Sequence, residues 1–316
     1  MTGAAEQQRI NGITVEELSV TFRLPEGDVC AVDGVSAHFP DGKITGLIGE
    51  SGCGKSVLGL ALLGLLPPYA SVAGEMYLDG IPLTPETARK RLGTEIGLIP
   101  QNPSDSLNPA RTVSAQLQEA LLPLRLGRKQ RMMKARELLS AFGFPEPERI
   151  LRAYPHELSG GMQQRVLCAA GAACSPRWIL ADEPTKGLDR DLRSQVRETL
   201  LSLREHGVKS MLVITHDLPL ARSLCDTMAV MYAGQILELG SGILEKPLHP
   251  YTRSFLAALP ENGFQSMPGV APKAGERLPG CPFAPRCPIA SARCHQERPP
   301  ACSPEPGKTV RCFQYV

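Results

Sequence analysis

The chain has 316 residues, room for one large or two ordinary domains. With 34 Lys and Arg against 32 Asp and Glu its net charge is +2, which gives no electrostatic case for nucleic acid or an anionic membrane. No apolar run reaches the ~18 residues of a spanning helix, and the polar start from Met1 to Asn11 lacks the apolar region of a signal peptide, so a cytosolic protein is expected.

From Gly12 to Phe39 apolar residues alternate with polar ones, through Ile13, Val15, Leu18, Val20 and Phe22 and then Val29, Ala31, Val32 and Val35. This predicts a strand-rich start, broken by a turn at Pro25-Glu26-Gly27-Asp28. Phe22 is placed where a ring could lie against a base, and a core phenylalanine would look the same.

Lys43 to Ile48 reads as a short buried strand and Val57 to Leu63 as a buried helix. Between them Gly49-Glu50-Ser51-Gly52-Cys53-Gly54-Lys55-Ser56 fits G-x-x-x-x-G-K-[ST]. Gly49, Gly52 and Gly54 can take backbone angles closed to other residues, so successive N–H groups can point at one anion. The helix start adds positive potential, Lys55 can reach the outer phosphates, and Ser56 can ligate Mg²⁺. The stretch Gly49 to Val57, with Ser51 and Cys53 inside it, is therefore the predicted nucleotide cradle.

Further on, Ala73 to Gly80 reads as a strand ending in an Asp-Gly turn, and Glu95 to Gln101 as a strand with Gln101 at its end. Helical patterns follow at about 113–124 and 129–142, an insertion spanning about 102–160. Past Leu158-Ser159-Gly160-Gly161, residues 162–173 read as a helix rich in small side chains. Trp178 to Glu183 is an apolar strand closing on two acids, which is costly to bury without a cation or a bonded partner. Beside a phosphate loop that cation is Mg²⁺, held by Asp182, while Glu183 could orient or deprotonate water. Met211 to Thr215 is another buried strand, ending at His216, and parallel sheets bind ligands at such ends. Residues 228–239 give two more short strands.

From Pro260 the chain is rich in Pro, Gly and Cys, with Cys281, Cys287, Cys294 and Cys302 at loose spacing and Cys312 beyond. Few core-forming residues accompany them, so something else must order the segment. In a reducing compartment four such thiols imply metal. Four thiolates without a C-x2-C pair suit a [4Fe–4S] cluster, with Zn²⁺ or free thiols as alternatives and His295 and Cys312 as reserve ligands.

Together these motifs resemble the ATP-binding subunit of ABC transporters, over about residues 13–259. Gly49 to Ser56 is similar to the Walker A loop, Trp178 to Glu183 to the Walker B strand, and Leu158 to Met162 to the signature motif. Gln101 is similar to the Q-loop residue, Lys186-Gly187-Leu188-Asp189 to the D-loop, His216 to the switch histidine, and Phe22 to the adenine-stacking aromatic.

The resemblance implies an α/β, RecA-like P-loop NTPase core with an antiparallel β-subdomain and an inserted α-helical subdomain. That core would span residues 1–258, with an irregular Cys-rich extension over 259–316. It implies ATP and Mg²⁺ as cofactors, with Glu183 as base, His216 on the γ-phosphate and water, and Gln101 sensing metal and nucleophile. Two subunits would sandwich ATP between Walker A of one and Ser159, Gly160 and Gly161 of the other. The partners implied are two transmembrane permease subunits, a second and non-identical ATP-binding subunit and an extracytoplasmic substrate-binding protein, with the chain peripheral at the cytoplasmic membrane face.

Ser106-Leu107-Asn108-Pro109, Met162 with Gln164-Arg165, and the tail with Gly280-Cys281-Pro282-Phe283-Ala284-Pro285-Arg286-Cys287-Pro288 narrow the resemblance to oligopeptide, dipeptide and nickel importers, some of which imply a [4Fe–4S] centre. Lys186-Gly187 departs from the small-residue pair usual before Leu-Asp, and Cys53 replaces a common serine, so thiol reagents are expected to affect binding. The alternative, an ABC ATPase of DNA repair with a cysteine metal module, lacks its long heptad repeats and its positive charge here.

Overall fold

The computed structural model describes residues 11–188, 190–259, 263–273 and 275–316. The polar start through Ile10, Asp189 of the D-loop and Pro260 lie outside the described residues. The chain divides into two units, one formed by residues up to Ala88 with those from Cys225 onward, the other by Arg89–Leu224.

The first unit begins with β1 (Gly12–Leu24), β2 (Gly27–Pro40), β3 (Ile44–Ile48), β4 (Ala70–Leu78) and β5 (Ile81–Pro82). β2-β1-β4-β5 form an antiparallel sheet, with β1 and β2 joined at the predicted turn. It buries Ile13, Val15, Leu18 and Val20 of β1 and Val32 and Val35 of β2; the period of two is broken by steps of three at Val15–Leu18 and Val32–Val35, where the register between the two strands shifts. All five residues of β3 are buried, and the helix Lys55–Leu62 after it buries Leu58, Ala61 and Leu62.

In the second unit β6 (Ile96–Ile99), β7 (Trp178–Asp182) and β8 (Ser210–Ile214) run parallel in the order β6-β7-β8. Between β6 and β7 come the helices Val113–Ala120, Arg128–Ala141 and Pro147–Arg152, within the predicted insertion, and after it the helix Gly160–Gly171. The first stops four residues short of its expected end. Pro123 lacks the N–H that would continue the α-helix, and Leu122–Leu124 is a 3-10 turn instead.

From Cys225 the chain returns to the first unit with β9 (Thr227–Tyr232) and β10 (Gln235–Gly240), β9 lying parallel to β3. The tail is less irregular than its composition predicts. It holds the short helix Ala292–Gln296 and the strands β11 (Cys302–Glu305) and β12 (Lys308–Val310). β12 pairs antiparallel with β10, Glu238 opposite Val310, so this sheet gains two strands from the end of the chain.

The helix Pro250–Ala257 is anchored by buried polar groups. Glu238, 1% exposed, accepts from the backbone N–H of Leu248 and His249 and from the Thr252 hydroxyl. The buried His249 ring accepts from the Tyr251 N–H at 2.9 Å, and burial lowers its pKa from 6.5 to about 3. A ring that stays neutral when folded and takes a proton when unfolded costs stability as pH falls below 6.5. The slope is about 1.4 kcal/mol per pH unit, or about 2 kcal/mol lost by pH 5. Urea unfolding at pH 7 and pH 5 should show this loss in the wild type and a flatter profile in His249→Asn, which can still cap the helix. Parallel profiles for the two proteins would count against it.

Candidate functional site

In the first unit β3 delivers the chain into the glycine loop. Gly49, Gly52 and Gly54 all have positive φ, at 153°, 80° and 103°. A Cβ on Gly49 would stand 2.0 Å from the Met231 carbonyl oxygen, and one on Gly54 2.2 Å from that of Ala31, so neither position admits a side chain. Gly54 caps the helix Lys55–Leu62 without a side chain of its own, at an N-terminus whose dipole suits an anion. Lys55 is 6% exposed and donates to the carbonyls of Gly49 and Glu50, each at 2.9 Å. Its ammonium is folded back over the loop it is expected to serve.

Cys53 is buried, and burial pushes its thiol up against the opposing pull of Lys55. It is therefore a poor thiolate, which argues against the reagent sensitivity expected from its type. Phe22 is partly exposed on β1, its ring 6.0 Å from that of the exposed Tyr69. Tyr69 was not singled out by sequence, since an aromatic after Pro67-Pro68 has no pattern of its own.

In the second unit the parallel register explains why distant residues meet. Ile99 lies opposite Ala181, and Asp182 opposite Ile214. Gln101, Asp182, Glu183 and His216 consequently follow the carboxyl ends of three adjacent strands. Glu183 is 9% exposed and adopts φ 48°, a conformation costly for a non-glycine residue. Its N–H donates to the Ile214 carbonyl at 2.8 Å, which holds the turn. Its carboxylate oxygen Oε2 lies 2.6 Å from Nδ1 of the exposed His216. A carboxylate held by a ring that faces solvent is a base with a ready partner.

The same unit contains the Ser-Gly-Gly stretch. Ser159 caps the helix Gly160–Gly171, its Oγ accepting from the Met162 N–H at 3.4 Å. The helix starts two residues before its expected position, because this cap carries both glycines into the first turn. Gln163 ties the approach down, donating to the carbonyls of Pro155 and Leu158. Gly160 is exposed with open space beyond its Cα, so its backbone can be approached closely. Gly187 of the D-loop has φ 74°, which a small chiral residue would adopt only at a cost. Asp217 caps the next helix through the Leu220 N–H and accepts from Thr185, a support that sequence alone did not single out.

Returning to the first unit, the cysteine set differs from the one expected. Cys281, Cys287, Cys294 and Cys312 line one cavity of about 210 Å³, with His249 and Phe283. Cys302 is not among them. It sits on β11, and its Sγ donates to the Val310 carbonyl across the hairpin. Burial pushes Cys281 up to about 11, and burial also raises Cys287 and Cys312. Among the described residues no group of three or more His, Cys, Asp or Glu stands close enough to hold a metal ion.

Comparison with known proteins places this geometry. A family model described as ABC transporter matches residues 32–186, and one described as oligopeptide/dipeptide transporter, C-terminal region, matches residues 240–294. The dipeptide transport ATP-binding protein DppD of Haemophilus influenzae is 41% identical over 299 residues, 91% of each chain. The oligopeptide transport ATP-binding protein OppD of Escherichia coli is 36% identical over 99% of this chain and 96% of its own. Among solved structures, the dimeric ABC transporter cassette MJ0796 superposes with a TM-score of 0.63 at 28% identity, covering 72% of this chain and 98% of its own. A post-hydrolysis dimer of the same cassette, bound to ADP and Pi, matches with the same TM-score at 27% identity and the same coverage.

Proposed function

Since the chain belongs to the ABC transporter family, among the ATP-binding subunits of dipeptide and oligopeptide transporters, we propose that it hydrolyses ATP to drive peptide import through a separate permease. The observation that carries the hydrolytic part is the Glu183–His216 pair at the carboxyl end of β7 and β8. In this reading Lys55 leaves its two carbonyls for the outer phosphates of ATP, and the amides of residues 51–57 complete the cradle. Phe22, with Tyr69 beside it, takes the base. The oxygen donors of Ser56, Gln101 and Asp182 suit Mg²⁺, which when bound neutralises phosphate charge. Glu183 takes a proton from the attacking water while His216 holds water and γ-phosphate in line. Ser159, Gly160 and Gly161 would serve ATP held by a second ATP-binding subunit, so that closure of the pair depends on nucleotide.

The partners in this proposal are two permease subunits, a second, non-identical ATP-binding subunit and an extracytoplasmic binding protein. Among the described residues no helix is long and apolar enough to cross a membrane, so a pore has to come from elsewhere. The chain would sit at the cytoplasmic face, with residues 1–258 binding nucleotide and 259–316 as the extension. The relatives' names favour peptides over nickel chelates as cargo, and do not favour the DNA-repair alternative.

For the extension we propose an iron–sulfur cluster on Cys281, Cys287, Cys294 and Cys312, which share one cavity but do not stand close enough here to hold a metal ion, so binding would have to draw them together. Their shared cavity and soft donors support this reading, and the thiols that burial keeps protonated would release protons on binding. Zn²⁺ is the competing occupant.

The decisive test of the transport reading is the chain reconstituted with its permease. A peptide-loaded binding protein should raise ATP hydrolysis, and Lys55→Ala should weaken ATP binding about 10- to 100-fold by removing charge-assisted hydrogen bonds. Stimulation by DNA without any permease would overturn the proposal.

A further inference from the structure

The glycine loop has a feature that no nucleotide motif accounts for. Every polar group of Glu50 is engaged. Its carbonyl takes Lys55, its N–H donates to the Tyr251 hydroxyl at 3.1 Å, and its carboxylate takes Arg286. The last two partners come from the far end of the chain. Arg286 Nη1 donates to both carboxylate oxygens, at 3.1 and 3.2 Å, and to the Tyr232 hydroxyl at 3.1 Å. Its Nε donates to the Pro268 carbonyl at 3.0 Å. The Arg286 side chain is 8% exposed and that of Glu50 27%, so the pair is only weakly screened.

Rigid packing fixes this arginine. It ends the turn Ala284–Arg286, between Cys281 and Cys287. Phe283 before it is wholly buried, its ring edge-on to Tyr232 and Tyr251 at 5.6 and 5.4 Å, and those two rings lie 4.5 Å apart. The cysteine-bearing loop and the phosphate loop are thus joined through one aromatic cluster, Phe283 on one side and the Tyr251 hydroxyl on the Glu50 N–H on the other.

We propose that Arg286 is a positioning residue for ATP, which holds the Glu50 peptide in place and cancels the carboxylate charge beside the phosphate site. Two effects follow from it. The Glu50 peptide aims the start of the amide cradle, so a fixed Glu50 pre-orders the loop and lowers the cost of binding. An unpaired carboxylate in the loop would also repel the triphosphate, and the guanidinium removes that repulsion. Arg286 touches neither water nor phosphate in this role. The inference rests on the nucleotide reading of the loop and adds a dependence of that loop on the extension.

The test is ATP affinity, measured on the full chain with a fluorescent ATP analogue, together with hydrolysis by the reconstituted complex. Binding by the wild type checks the nucleotide reading by itself. Arg286→Gln should weaken ATP binding about 10- to 100-fold and raise KM accordingly, while kcat at saturating ATP moves less than about threefold. Arg286→Lys, which keeps the charge but not the fork, should fall in between. Adding Glu50→Gln to Arg286→Gln should recover most of the lost affinity, since the uncompensated charge is gone. Glu50→Gln alone should bind ATP a few-fold tighter than wild type. A merely structural arginine predicts wild-type ATP affinity in the folded fraction of Arg286→Gln. Wild-type affinity in a folded Arg286→Gln, or unrescued loss in the double variant, overturns the proposal. If Arg286→Gln does not fold, Glu50→Gln decides, and weaker binding there overturns it.

Discussion

Glu183→Gln should leave ATP binding within a few-fold of wild type and lower hydrolysis about 1,000-fold, equivalent to ~4 kcal/mol on the barrier. Glutamine is nearly isosteric, so it can keep the contact with His216 Nδ1, and the turn held by the backbone bond to Ile214 does not depend on the side-chain charge. What it loses is the capacity to take a proton. The loss should be in kcat rather than KM, because in the proposed role the residue acts on water and not on the bound nucleotide. A second outcome follows from the role proposed for Ser159 to Gly161. With hydrolysis stopped, ATP should hold the two ATP-binding subunits together, visible as a stable pair in size-exclusion chromatography with ATP and as monomers with ADP. Phosphate release within tenfold of wild type would remove Glu183 as the base.

The second large effect concerns which thiols would hold the cluster proposed for the extension. Protein purified without oxygen should contain iron and acid-labile sulfide, and Cys312→Ser should lose most of both. Cys302→Ser should retain them, because this thiol is engaged with the Val310 carbonyl and lines no part of the shared cavity. The spacing of the cysteines predicts the reverse. Zinc without iron or sulfide in the wild type would show the cluster reading to be wrong, and iron lost from Cys302→Ser alone would restore the set expected from spacing. The pairing of β12 with β10 makes the outcome informative. Cys312 lies two residues past the end of β12, and the Arg311 N–H between them donates to the Leu237 carbonyl, so its place is set by a hydrogen-bonded register rather than by a loop.

The parts of the molecule legible in advance share a physical property. Gly49, Gly52 and Gly54 occupy backbone conformations that other residues avoid, so their type and spacing report the loop directly. β3, β7 and β8 are short buried strands of a parallel arrangement, and such strands show as continuous apolar runs with polar residues at their ends. That is why Asp182, Glu183 and His216 stand out in the sequence as strand-end residues. The boundary errors were local too. Pro123 ends a helix that the apolar spacing prolongs, and the Ser159 cap starts the later helix two residues before the small-residue pattern does.

What escaped was non-local. β11 contains a proline and β12 is three residues long, so neither shows a strand period, and their place depends on the free edge that β10 offers. Arg286 lies in a stretch of Pro, Ala and Cys with nothing local to mark it, and only the fold brings it to Glu50, 236 residues away. By itself the sequence determined the nucleotide chemistry and the family, because those rest on backbone angles and strand ends that each residue type constrains on the spot. The tertiary structure decided which four thiols share a cavity and what holds the second residue of the phosphate loop, because both depend on side chains that packing alone brings together.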